Sequence, residues 1–221
     1  MESGIPENTM IRTIKAAFLF PLVALSLLAA PAARAETPAP VQVIQKLSES
    51  VMDAVNNDPA LKSGDPQKVT QLVESKVLPF VDFERMTASA VGRYWRQASP
   101  EQKKELQQQF KLLLIHTYSG AVTQIRNQHI EYLPFRASPD ATNVVVRTRV
   151  MNNGEPVQLD YRLVKLDSDW KIADVNVMGI WLVDNYRGVF AQEIGQKGIN
   201  GLIQTLDTRN KQLAQGGQGQ G

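Results

Sequence analysis

The spacing of apolar residues changes twice along this chain, and each change marks a different kind of structure. Between residues 41 and 125 the apolar residues recur every three or four positions, which is typical of amphipathic helices. Between residues 129 and 180 they alternate with polar residues, as in strands that have one dry face. Helical spacing returns over residues 182–212. Helices, then strands, then helices predict an α+β fold rather than a parallel α/β sheet.

Turn signals divide the alternating region into strands that can pair as an antiparallel meander. The strands are predicted over residues 129–136, 143–151, 156–166 and 170–180. The turns are predicted at Asn152-Asn153-Gly154-Glu155 and at Asp167-Ser168-Asp169. We therefore expect one twisted sheet of about four strands, wrapped by five to six or more helices.

Three sites carry the signals of helix N-termini. Asp65 precedes Pro66, which suits an N-cap followed by proline at the first helical position. Asp82 is a second candidate cap. The sequence Ser99-Pro100-Glu101-Gln102 has the form of a capping box, and it precedes the longest predicted helix.

The first 35 residues have the pattern of a secretory signal peptide. Arg12 and Lys15 precede the apolar run AAFLFPLVALSLLAA, and Ala33-Arg34-Ala35 is a cleavage signal. An uncleaved N-terminal anchor is the alternative, and Met10 is an alternative start. The predicted organisation is a signal peptide over 1–35, a linker over 36–40, a single domain over 41–212 and a disordered tail over 213–221.

Charge and cysteine content exclude several classes of protein. Cleavage after residue 35 removes three cations and two anions, so the net charge falls from +2 to +1, and a nucleic-acid binder is not expected. The chain has no cysteine, which excludes disulfides, thiolate metal sites and a thiol nucleophile. No sequence motif of a catalytic or metal site is present. We predict no catalytic residue, no metal and no cofactor.

Large apolar residues are concentrated where the last predicted strand meets the next helix, in DWKIADVNVMGIWLVDNYRGVFAQEI. The default interpretation of each such residue is a packed core. Alternatively, a curved sheet roofed by helices leaves a cone-shaped cavity, and this corner lines its mouth. The residues placed for that role are Val175, Val177, Met178, Ile180, Leu182, Tyr186 and Phe190.

Two blocks of the sequence are similar to the MlaC or toluene-tolerance family of periplasmic phospholipid-binding proteins. The first block carries Pro79, Asp82, Phe83, Met86, Gly92, Trp95, Arg96, Ala98, Ser99, Pro100, Gln102, Phe110 and Tyr118. The second carries Trp170, Lys171, Asp174, Val175, Gly179, Ile180, Asn185, Tyr186, Arg187, Phe190, Gly198, Leu202 and Leu206. One departure is Trp181, since the family usually has a small serine there.

The resemblance implies an NTF2-like sheet with an apolar cavity, and a periplasmic carrier that shuttles phospholipid between the outer and inner membranes. Such a carrier is the soluble component of an Mla-type transport system, which maintains outer-membrane lipid asymmetry. Its implied partners are an inner-membrane ABC transporter bearing MCE domains and an outer-membrane lipoprotein–porin complex. The implied cargo is phospholipid, and a monomer is expected.

The resemblance, together with the apolar pattern, also suggests the site. Arg187 is predicted to meet a lipid headgroup or a docking partner. The side chains predicted to line the acyl-chain pocket are Val77, Phe83, Met86, Tyr94, Phe110, Leu114, Tyr118, Val146, Leu159, Tyr161, Val175, Val177, Met178, Ile180, Leu182, Tyr186 and Phe190.

Two other classes of function stay open from the residues alone. One is a small NTF2-like enzyme acting on an apolar substrate, with Asp174, Tyr161 or His116 as acid–base groups. Asp160 falls on the polar side of its strand. For Asp174 the alternative to catalysis is a structural role, as a local cap or pairing partner. The other class is a lipid-free adaptor that uses the apolar corner as a protein interface.

Overall fold

A computed structural model of the chain describes residues 37–123, 128–152 and 155–216. The predicted signal peptide and the turn residues Asn153 and Gly154 lie outside these ranges. Helices α1 to α5 come first, then five strands, then α6. Their bounds are α1 Ala39–Asn57, α2 Pro59–Lys62, α3 Pro66–Leu72, α4 Phe83–Val91, α5 Pro100–Thr123, β1 Ile130–Tyr132, β2 Asn143–Asn152, β3 Glu155–Leu166, β4 Asp169–Val177, β5 Ile180–Trp181 and α6 Leu182–Gly216.

The three predicted N-terminal caps are confirmed. A side-chain oxygen of Asp65 accepts from the backbone N–H groups of Gln67 and Lys68. Asp82 Oδ1 accepts from the N–H of Arg85 at 3.0 Å. At the start of α5, the backbone N–H of Ser99 donates to Gln102 Oε1 at 2.9 Å, and the N–H of Gln102 donates to Ser99 Oγ at 3.2 Å. These reciprocal bonds form the predicted capping box.

The strands form one antiparallel sheet in the order β1-β2-β3-β4-β5, a meander as predicted. Opposite residues share a face, so the pairing Val146–Tyr161–Val175 defines one side, called here the inner face. The pairings Arg147–Asp160 and Arg162–Asp174 define the outer face. The apolar and polar sides are therefore separated as the alternation predicts.

The sheet has five strands where about four were expected, because the last predicted strand is divided in two. The segment predicted as one strand over 170–180 is interrupted at Met178 and Gly179, whose φ angles are 51° and 91°. Two consecutive positive φ angles fit a type I′ turn, which reverses the chain and adds β5 beside β4. At the other edge, β1 ends at Tyr132, before Pro134, which lacks the N–H that a longer ladder would need.

The last helix differs from the prediction at its break and at its end. Two helices were expected over 182–193 and 197–212. The structure has α6 running from Leu182 to Gly216 with one non-helical residue, Gly198, at φ 73°. Residues 213–216, predicted as tail, are therefore helical, and 217–221 lie outside the described ranges. The first helix begins at Ala39, inside the predicted linker.

The helices pack on the inner face and around α5. The main core joins side chains from α1, α4, α5 and α6 to Val144, Val146, Tyr161, Leu163 and Ile172 of the sheet. A smaller cluster joins Ile115 of α5 to apolar side chains of α1, α2 and α3. The long helix α5 is therefore buried on two sides.

We expect Asn210→Ala to lower the free energy of unfolding by about 1–3 kcal/mol, because Asn210 joins α6 to α5 in the core. Its buried amide Nδ2 donates to the backbone carbonyl of Gln109 at 2.9 Å and to Gln109 Oε1 at 2.8 Å. Urea denaturation measures the loss. Gln212→Ala, at an exposed position on the same helix, is the control and should change stability by less than about 0.5 kcal/mol. Equal losses of stability in the two variants would contradict a stabilising role for the Asn210 hydrogen bonds to Gln109.

Candidate functional site

The inner face of the sheet is covered at one end and open at the other. Val144, Leu163 and Ile172, which share one end, are all less than a tenth exposed. Towards the other end, Leu159, Val157 and Val150 are only partly buried. The helices therefore leave an apolar stretch of the sheet accessible at this end, which is called here the open end.

The strand-to-helix corner lies beside the open end. Val177, the last residue of β4, pairs with Leu159, and Ile180 pairs with Val177. The backbone N–H of Met178 donates to the carbonyl of Gln158 at 3.0 Å. The corner thus lies next to accessible apolar side chains, where the sequence placed the mouth of a cavity.

An aromatic cluster supports the helical side of the core. The Phe110 ring centroid lies 5.0 Å from that of Tyr186, 5.2 Å from that of Phe190 and 5.9 Å from that of Phe83. The rings of Tyr186 and Phe190 are edge-on to Phe110, which is a favourable geometry for aromatic pairs. Phe110 and Phe190 are fully buried, whereas Phe83 and Tyr186 remain partly exposed.

The structure divides the seventeen predicted pocket residues into three groups. Those packed inside the main core are Met86, Phe110, Val146, Tyr161 and Phe190. Those that pack against the core yet stay partly exposed, called here the apolar margin, are Val77, Phe83, Tyr94, Leu114, Leu159, Val175 and Tyr186. Those outside the main core are Leu182, which is buried, Tyr118 and Val177, which are partly buried, and Met178 and Ile180, which are exposed.

These groups suit different roles. A fully buried side chain contacts protein on all sides, so Phe110 and Phe190 support the site from behind. A partly exposed side chain of the apolar margin has free surface that a nonpolar ligand can cover. Met178 and Ile180, at 72% and 58% exposed, face solvent at the corner rather than an enclosed space.

The tyrosines around the core are desolvated. Burial raises the pKa of Tyr118, Tyr132, Tyr161 and Tyr186 above the ordinary phenol value. Each of these phenols is therefore neutral near pH 7. Tyr132 was missed by the sequence reasoning, although it shares a face with Ile130 on β1 and lies on the inner face.

Asp174 of β4 stabilises the start of α6, which follows β5 in the chain. Its Oδ1 accepts from the backbone N–H of Val183 at 3.0 Å, and its Oδ2 lies 3.0 Å from Nη1 of Arg162. The Arg162 guanidinium also stacks 4.3 Å from the centre of the Trp181 ring. Burial raises the pKa of the Asp174 carboxyl, and the Val183 N–H and Arg162 oppose that rise. The carboxylate is therefore a cap and an ion-pair partner.

The candidate acid–base groups are divided between the two faces of the sheet and α5. Asp174 pairs with Arg162 on the outer face, whereas Tyr161 lies on the inner face with Val175. His116 is carried by α5. Asp160 is buried on the outer face, where it accepts from Gln158 Nε2 at 2.6 Å. Tyr161 therefore lies on the opposite face of the sheet from both carboxylates, and each carboxylate is bound by a side chain of its own, Gln158 for Asp160 and Arg162 for Asp174.

Arg187 joins α6 to the end of α4. Its Nε donates to the backbone carbonyl of Ser89 at 3.0 Å, and its Nη1 lies 3.1 Å from Asp184 Oδ1. Its stem passes Gly92, which has a φ of 64°. Half of the side chain nevertheless stays exposed, so the guanidinium is also accessible from outside.

A separate concavity of about 450 Å³ lies at the covered end of the sheet. Its walls include the Phe135 and Trp170 side chains, Val144 and the proline-rich start of α1. The sequence reasoning did not place a cavity there, because its walls come from three segments that are distant in the sequence. Within the described residues no group of three His, Asp or Glu side chains could hold a metal ion. Nor is any described helix long and apolar enough to cross a bilayer.

We expect Leu114→Ala to cost much less stability than Leu106→Ala, although both leucines lie on α5. Leu106 is fully buried, so its truncation should cost about 2–5 kcal/mol, whereas Leu114 has accessible surface and should cost roughly half as much or less. Denaturant titrations of the two variants make the comparison. Equal losses would show that Leu114 is packed as fully as Leu106 and does not face free space.

Comparison with known proteins gives consistent matches. Toluene tolerance protein ttg2D of Pseudomonas putida is 28% identical over 200 residues, which cover 90% of each chain. The intermembrane phospholipid transport system binding protein MlaC of Haemophilus influenzae is 22% identical over 173 residues, covering 76% of this chain and 80% of that protein.

A solved structure of a phospholipid-binding protein from Ralstonia solanacearum, in complex with a phospholipid, shares the fold. Its TM-score is 0.76 at 48% identity, and the match covers 78% of this chain and 97% of that chain. The predicted α+β class is confirmed. The family model described as MlaC protein matches residues 45–208, from the first helix to the last. Since that match spans well over half of the sequence, this chain belongs to the MlaC family.

Proposed function

We propose that this protein is a periplasmic phospholipid carrier that shuttles lipid between the outer and inner membranes as part of an Mla-type system. The observation that carries the proposal is the apolar margin, a set of partly exposed side chains that pack against the core, of which Leu159 lies at the open end. The Ralstonia protein, nearly half identical, was solved with a phospholipid. The relative from Haemophilus is named for intermembrane phospholipid transport.

The physical demand on such a carrier is a dry interior. Exposing each acyl CH₂ group to water costs about 0.8 kcal/mol, so two chains amount to tens of kcal/mol. The inner face and the apolar margin offer hydrocarbon contacts, and Tyr161 and Tyr186, whose pKa values are raised by burial, are neutral near pH 7. The headgroup carries charge and stays in water beyond the open end. Transfer breaks no bond, so the carrier needs no nucleophile or cofactor.

Loading is expected to widen the site. A pocket for two acyl chains should approach about 1,000 Å³, the upper range of ligand sites. Val146 and Tyr161, which neighbour Leu159 on the inner face, are less than a tenth exposed, so helices and sheet are closely packed there. We therefore propose that the helices and the sheet separate at the open end as acyl chains enter between them.

Purified protein is expected to carry diacyl phospholipid at close to one equivalent. Lipid extraction followed by mass spectrometry identifies the cargo after export and purification. Leu114→Asp should abolish loading, because it places an unpaired charge against the acyl chains. The matched variant is Gln108→Asp, which adds the same charge at an exposed position of α5 and should load normally.

Circular dichroism must show that both variants fold. A folded Leu114→Asp protein that still holds lipid would remove Leu114 from the pocket wall. A stably folded wild-type protein that is free of lipid, and that takes up none from vesicles, would contradict the carrier function and favour the adaptor.

The partners of this carrier are, in our proposal, an inner-membrane ABC transporter bearing MCE domains and an outer-membrane lipoprotein–porin complex. Both must bind and release it, which suits a modest polar contact surface. Arg187 is the residue we assign to docking or to the lipid headgroup, since its half-exposed guanidinium can donate two parallel hydrogen bonds to a phosphate or carboxylate.

Arg187→Glu should slow lipid exchange with the inner-membrane complex at least tenfold while lipid loading stays intact. Arg85→Glu is the matched control, because Arg85 is also half exposed and also pairs with a carboxylate three residues away. Exchange of labelled lipid with the purified complex gives both rates. Equal rates for wild type and Arg187→Glu would show that Arg187 has only a structural role, through its hydrogen bond to Ser89.

A further inference from the structure

The corner between β4 and β5 breaks a local rule of protein structure. Met178 occupies the first central position of a type I′ turn at φ 51°, where asparagine or glycine is strongly preferred. A long side chain is strained in this left-handed conformation. Its backbone N–H bonds to the Gln158 carbonyl, which any residue could do, whereas its side chain is 72% exposed and gains little packing. A residue that opposes the fold without a packing gain points to a function outside the folded chain.

A second exposed apolar residue lies on the other side of the turn. Ile180, two positions along, is 58% exposed. Met178 and Ile180 are two of the three large apolar side chains that are markedly exposed in the described part of the chain, the third being Val189 on α6. Two such side chains at one tight turn form an apolar tip, defined here as residues 178–180.

The layer behind the tip is aromatic and then polar. Trp181 follows Ile180 on β5 and is partly exposed, and its ring carries the Arg162 guanidinium on one side. Tryptophan is the residue that favours the boundary between headgroups and hydrocarbon. The succession of an apolar tip, an indole and charged groups matches the depth profile of a bilayer interface.

We propose that the apolar tip inserts into the interfacial layer of a phospholipid bilayer and brings the open end of the site against the membrane surface. The tip adjoins that end directly, because Met178 bonds to Gln158 of β3 and Ile180 pairs with Val177. This inference rests on the proposed carrier function, and it adds direct contact between the carrier and lipid to the docking on protein partners.

Size and charge favour a bilayer over a protein as the occupant. A stable protein interface uses about 20–30 residues on each side, whereas the tip offers two large side chains. Arg162, the cation that lies on Trp181 behind the tip, is paired with Asp174. Insertion therefore depends on apolar contact, and it requires neither anionic lipid nor low salt.

The test is co-sedimentation of the purified, exported protein with sucrose-loaded phosphatidylcholine vesicles. Wild type should bind, with less than a threefold change between low salt and about 0.5 M salt, where surface charges are screened. The double variant Met178→Asn/Ile180→Asn should lower the partition coefficient at least tenfold. Asn-Gly suits the type I′ turn, so the variant should fold. Its unfolding temperature should equal or exceed that of the wild type.

Val189→Asn is the matched control, because Val189 is 57% exposed, apolar and outside the tip. It should bind vesicles within twofold of wild type. Equal losses in both variants, unchanged binding of the double variant, or a wild type that binds only vesicles carrying a membrane protein partner would each overturn the proposal. Co-purified lipid is measured on the same samples. If no lipid co-purifies but vesicle binding still depends on the tip, the carrier function is contradicted and the membrane insertion of the tip is supported.

Discussion

The inner face of the sheet is the constraint on which this structure depends. A single antiparallel sheet with one apolar face must bury that face, and here α1, α4 and α6 supply most of the cover. The cover is complete around Leu163 and Ile172 and incomplete around Leu159 and Val175. The same packing that stabilises the fold at one end therefore leaves apolar surface available at the other. Stability and the proposed binding site are two ends of one apolar layer.

Asp174, on the outer face of the sheet, binds the start of α6. Its carboxylate caps the start of α6 through Val183 and pairs with Arg162, which in turn stacks on Trp181. These contacts hold the first turn of α6, the helix that also carries Tyr186 and Phe190 to Phe110. A carboxyl that could be taken for a catalytic group is thus occupied in holding the site together. Burial raises its pKa, while the groups that bind its charged form oppose that rise.

Local patterns predicted local features well. The capping box at Ser99 and Gln102, the caps at Asp65 and Asp82 and the alternation along β3 involve residues within a few positions of each other, and each is confirmed. The turn at Met178 was missed, because methionine is rare at positive φ and the surrounding alternation favours one continuous strand. The break in α6 was predicted near the right place, but only the structure shows it at Gly198.

The sequence alone determined the α+β order, the separation of a dry face from a wet face, and the family, because hydrophobic period and short motifs are properties of neighbouring residues. Only the tertiary structure decided which apolar residues are core and which form the apolar margin. Phe110 and Leu114 lie one helical turn apart on the same side of α5, yet one is fully buried and the other is not. That difference depends on how far α4, α6 and the sheet reach over each residue, and no spacing along the chain encodes the distance between segments that meet only after folding.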